Sequence, residues 1–145
     1  MNLIFITILP MFYYFYLLDI FTNLPQHRRY KRLLNDKSYF SIHFLLSTFL
    51  LIIAVVIIVI RKDEFLLSCS ALMPISFLLL IKFLNRYAKK FYKRDFILYL
   101  RQDSYKNAIR KQVRGIDNLC TVVSIVLPII ICSLALVLVH FCFLT

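Results

Sequence analysis

The sequence predicts an all-α protein: an integral membrane four-helix bundle with a basic amphipathic cytoplasmic helix between the third and fourth spans. Three observations predict it. Hydrophobic residues make up 61% of the 145 positions, and mean hydropathy is +0.80. Soluble domains are roughly 45–50% apolar, and a chain this short has too little interior to hide the excess from water. The apolar residues also fall into four runs of about span length, divided by charged segments. Finally, glycine occurs once, against 14 Phe and 9 Tyr, which argues against a sheet protein with glycine-dependent turns. A single transmembrane domain over 1–145 is expected.

The first span is expected at about 3–21. Its 19 residues give roughly 28 Å of helix against an apolar core of about 30 Å. It has the position of a secretory leader, but no Lys or Arg precedes it and no small-x-small site follows, so it is expected to be retained. Pro10 should kink it, and Asn23 and Pro25 end it. The 22–39 loop carries Arg28, Arg29, Lys31, Arg32 and Lys37 against Asp36 alone, with Asp36 or Ser38 capping the next helix. The second span, about 40–60, ends in LLIIAVVIIVI. Those β-branched residues would favour a strand in water, but the need to satisfy every backbone group inside a bilayer favours helix. Arg61-Lys62-Asp63-Glu64 then leaves room only for an antiparallel neighbour. The third span is expected at about 65–84, bent near its middle by Pro74.

Across the 85–118 loop, Phe91, Leu98, Tyr105, Ile109, Val113 and Ile116 recur at intervals of 7, 7, 4, 4 and 3. That spacing predicts one face of a helix over 88–114, interrupted by Asp95 and Gln102. It is a candidate partner or lipid surface: the helix either lies on the membrane or continues the third span and packs on a partner. Arg110, Lys111 and Arg114 suit a helix C-terminus, with Gly115 as its C-cap. Asp117 or Asn118 is expected to cap the fourth span, about 119–143.

Orientation follows from Lys and Arg. Five lie in the 26–39 segment and ten in 85–118, all on one side of the bundle, against two in the 61–64 turn on the other. The positive-inside tendency then predicts cytoplasmic basic segments and non-cytoplasmic termini, with the bacterial cytoplasmic (inner) membrane as the expected location.

The same alternation of spans brings Asp19, His43 and Lys82 to one boundary, as a candidate intramembrane polar cluster. One reading pairs Asp19 with Lys82 or His43 in a shared polar site. The simpler reading is interfacial, with Lys82 snorkelling and Asp19 reaching water. In the fourth span Thr121, Ser124, Pro128, Cys132 and Ala135 follow at intervals of 3, 4, 4 and 3. This is a candidate helix-packing face, because small residues let helices approach closely in lipid. Cys69 and Cys142 share the non-cytoplasmic end, where an oxidising compartment would let them bridge; unpaired buried thiols are the expectation.

No catalytic, cofactor or metal motif is present, so neither an enzyme nor a cofactor is expected. The expected partners are membrane lipids, with anionic headgroups at the basic loops, and another membrane protein, with a homo-oligomer as a further option. Nucleic acid is not expected, because the charges lie beside apolar spans. Short length, four spans, basic cytoplasmic loops and abundant Phe, Tyr, Ile and Lys make the chain similar to colicin-type immunity proteins. That resemblance implies a protein that blocks a pore-forming toxin within the bilayer, and it carries over no residue role. The alternatives are a small oligomeric channel or pore-type membrane effector, which needs a polar lining that Phe49 to Ile60 does not offer, and an accessory subunit of a membrane complex.

Overall fold

The computed structural model describes residues 3–22, 27–60, 69–96 and 115–144. Every element among them is helical: α1 (Leu3–Thr22), α2 (His27–Asn35), α3 (Lys37–Ile60), a 3₁₀ turn (Cys69–Ala71), α4 (Leu72–Tyr92) and α5 (Gly115–Leu144). Three stretches are long and apolar enough to cross a membrane, namely Lys37–Ile60, Cys69–Tyr92 and Leu119–Leu138. In α1 the apolar stretch is the shorter Ile8–Ile20. The described chain therefore carries three candidate spans where the sequence predicts four.

α4 is central. It packs most extensively on α5 and also on α1 and α3. The inward faces repeat at helical intervals: His43, Ser47, Leu50, Ala54 and Ile57 on α3, and Pro74, Phe77, Ile81, Asn85 and Ala88 on α4. A core of Tyr14, Leu17 and Ile20 from α1, Leu33 from α2, Phe77, Leu78, Ile81 and Ala88 from α4, and Phe96 beyond it, sits towards the basic end of the molecule. Tyr14 meets Phe77 edge to face, 5.6 Å between ring centroids, a favourable arrangement of aromatic quadrupoles.

Several local expectations change. The 22–39 segment is read from the sequence as a loop, yet most of it is helical. α2 buries Leu33 and half-buries Leu34 while Lys31 and Arg32 stay exposed, so these adjacent leucines help to seat the short basic helix on the bundle. Asp36 alone separates α2 from α3 and caps the latter: its Oδ1 accepts the Ser38 N–H at 2.9 Å and the Tyr39 N–H at 3.4 Å. Pro74 is the third residue of α4, in the first turn. A missing N–H costs little there, so it marks a helix start and not a mid-helix bend.

The helix predicted over 88–114 is not continuous. Its first residues belong to α4, which ends at Tyr92 with Lys93 in the left-handed conformation (φ 52°), an αL cap made without glycine. Residues 93–96 then leave the helical path. Gly115 opens α5 and Asp117 lies in its first turn, so neither takes the capping position expected of it. An acidic side chain in a first turn instead meets the positive end of the helix dipole.

Candidate functional site

The polar groups of the bundle gather at two places near its basic end. At the first, α1 and α3 are joined through Tyr13 and His43. The Tyr13 hydroxyl lies 2.6 Å from His43 Nδ1 and also donates to the His43 carbonyl at 3.4 Å. Ser47, one turn on, donates to the same carbonyl at 2.9 Å. Tyr39 closes over the imidazole edge to face, 4.7 Å between centroids. His43 is 8% exposed and Ser47 fully buried. The Nδ1–hydroxyl contact thus ties α1 to α3, and the Ser47 hydroxyl is directed to the His43 carbonyl and not to the ring.

At the second place, the segment after α4 folds back onto the bundle. Asn85 Oδ1 accepts the Phe96 N–H at 2.9 Å, in a buried bond. Arg94 pairs with Asp117 of α5, whose side chain is 4% exposed. Outside these, Lys89 donates to Asn35 Oδ1 at 2.6 Å and lies 3.2 Å from Asp95. The C-terminus of α2, the end of α4 and the start of α5 are thereby held together.

Of the sequence-predicted polar residues, His43 is buried and bonded as above. Lys82 is exposed, its amine 4.0 Å from the Phe40 ring centroid. Asp19 is half-buried on α1. His43 and Lys82 thus each have aromatic neighbours: Tyr13 and Tyr39 for one, Phe40 for the other. Lys82 also stands at a shallow cleft lined by Leu33, Leu34, Phe40 and Ile81. On α5, Thr121, Ser124, Pro128 and Cys132 are buried and Ala135 is half-buried. The Tyr14 hydroxyl reaches this helix at the Ile125 carbonyl, 2.9 Å away. The neighbouring Ser124 carbonyl is the one that Pro128, lacking an N–H, leaves without its helical donor. Phe91 is exposed, while Leu98, Tyr105, Ile109 and Val113 lie outside the described residues. Cys69, Cys120 and Cys132 are free thiols; the Cys142 side chain lies outside the described residues. Among the described residues no group of three or more His, Cys, Asp or Glu could hold a metal ion.

Sequence reasoning missed Tyr13, Asn85 and the Arg94–Asp117 pair. The available signal was a phenol set inside an apolar run, since a buried Tyr hydroxyl usually finds a partner. No protein-family profile, curated protein or solved structure matches this chain.

Proposed function

We propose that the chain is a four-span membrane protein that acts by protein–protein interaction within the bilayer, an immunity protein against a pore-forming toxin being its concrete form. α1 supplies the fourth span: its 20 residues make roughly 30 Å of helix. The basic segments lie on the cytoplasmic side of a bacterial inner membrane, and both ends of the chain lie on the other side.

One observation carries the reading. Tyr13 ties α1 to α3 at His43 and Tyr14 ties α1 to α5 at the Ile125 carbonyl, and the hydroxyls of Ser47, Thr48, Ser76, Thr121 and Ser124 are taken up by carbonyls of their own helices, while the outward faces are wide and apolar. On α3 that face includes Ile42, Leu45, Phe49, Ile52, Val56 and Val59, and on α5 Val122, Val126, Ile129, Leu134 and Val137. A partner helix from another membrane protein packs on such a surface by shape, whereas a conducting path needs polar groups along its length. Photo-crosslinking from Phe49 and Val126 in native membranes should give a discrete protein adduct, and adducts with lipid alone would contradict the proposal. Cells producing the chain should survive the toxin so captured; equal killing with and without it would reject the immunity form.

A second reading, an accessory subunit of a membrane complex, is favoured by the exposed rings of Tyr87 and Phe91 on the basic end of α4, 4.4 Å apart. Aromatic residues exposed beyond an apolar span suit a docking contact. Co-purification of a stoichiometric companion that is lost on Phe91→Ala would favour this version.

A further inference from the structure

We propose that the cleft between α2, α3 and α4 is a binding site for one anionic phospholipid. Lys82 holds the phosphate, and the upper methylenes of an acyl chain lie on Leu33, Leu34, Phe40 and Ile81. The inference rests on the membrane reading above and names a lipid class at one place on it.

The cleft has apolar walls and a single cation, which is the pattern of a phospholipid at the level where its chains meet its headgroup. α2 forms one wall. Leu33 is buried and Leu34 half-buried on its inner side, while Lys31 and Arg32 are exposed on its outer side. A short helix with that division lies in the plane of the membrane interface, so the cleft opens at headgroup depth. Phe40 is the fourth residue of α3, and Lys82 is followed after one turn by Arg86, Lys89 and Lys90, all exposed. Both walls therefore place the cleft at the same boundary.

The headgroup class follows from charge. Lys31, Arg32, Lys37, Lys82 and Arg86 are exposed on this end, and such a field favours an anionic lipid over a zwitterionic one. The aromatic face that could receive a choline cation is already covered, because the Lys82 amine stands over Phe40. A free phosphate would leave the apolar walls unused, so the site fits a lipid and not a soluble anion.

The test is native mass spectrometry of the full chain released from phosphatidylcholine bilayers containing a minor fraction of phosphatidylglycerol. One retained phosphatidylglycerol per chain is expected. Lys82→Gln should lower its retention about tenfold, the value of one charge-assisted hydrogen bond. Lys82→Arg should preserve it. Leu34→Trp, which fills the cleft without changing charge, should lower it as well. Lys90→Gln, on the same helix but outside the cleft, should leave it unchanged, and excess inorganic phosphate should not displace the lipid. Equal retention in wild type and Lys82→Gln, an equal loss in Lys90→Gln, or displacement by phosphate would each overturn the site. Vesicle flotation separates the two claims: a chain that floats but retains no phosphatidylglycerol overturns only the lipid site, whereas one that does not float overturns the membrane reading beneath it.

Discussion

Tyr13→Phe removes a single oxygen and leaves the stacking of its ring on His43, 6.1 Å between centroids, in place. That oxygen lies 2.6 Å from His43 Nδ1, and the histidine is 8% exposed. Two effects set the loss. Hydrogen bonds between helices in a bilayer average only about 0.6 kcal/mol and reach about 1.7, because the separated helices find other partners. A buried polar atom left unsatisfied costs roughly 1–3 kcal/mol. The short contact and low exposure place this bond in the upper part of the first range, so Tyr13→Phe should destabilise the bundle by about 1–2 kcal/mol. Packing loss is separated from the hydrogen bond by a double-mutant cycle with His43→Leu, read by detergent-titrated unfolding from mixed micelles. The expected coupling is about 1 kcal/mol. A coupling within about 0.3 kcal/mol of zero, the usual error of additivity for independent sites, would show that the tie between Tyr13 and His43 does not hold α1 to α3.

Three further outcomes follow from the same packing. Arg94→Gln and Asp117→Asn should each destabilise by about 3 kcal/mol, since each strands a charge that is largely shielded from water; the exchange Arg94→Asp with Asp117→Arg should recover part of that loss in the same unfolding assay. Ser124→Leu, on the fully buried face of α5, should cost about 1–3 kcal/mol by overpacking, while Val126→Leu on the exposed face should stay within about 0.5 kcal/mol of wild type. Asn85→Leu removes the acceptor for the Phe96 amide, so hydrogen exchange at Phe96 should accelerate about tenfold or more, as expected for one lost buried bond, while amides in the middle of α3 keep their protection.

The long apolar helices were legible because the bilayer leaves little choice. Ile52 to Ile60 is β-branched at every position but Ala54 and is nevertheless helical, as backbone satisfaction in lipid demands. The short elements were harder to read. α2 shows only Leu33 and Leu34 against a background of Arg and Lys, too brief a period to separate from a charged loop. The end of α4 carries no breaker: Lys93 takes the left-handed cap by virtue of its surroundings, not of its side chain. Gly115 looked like that cap because it is the only glycine, yet it begins a helix. At the site, His43 stood out as a polar residue in an apolar run. Its partner lies 30 positions away on another helix, a pairing that depends on how the helices rotate against each other. Asp117 reads as a cap in the sequence for a similar reason, since Arg94 reaches it only after the chain folds back on α4.

The most direct test of the account is its topology. In a background with Cys69, Cys120, Cys132 and Cys142 replaced by alanine, single cysteines are introduced by Asn2→Cys, Lys62→Cys, Lys93→Cys and Thr145→Cys and probed in intact cells with a membrane-impermeant thiol reagent. Four crossings predict labelling from outside at Asn2→Cys, Lys62→Cys and Thr145→Cys, with Lys93→Cys labelled only after the membrane is opened. The two ends of the chain reacting from opposite faces would contradict it.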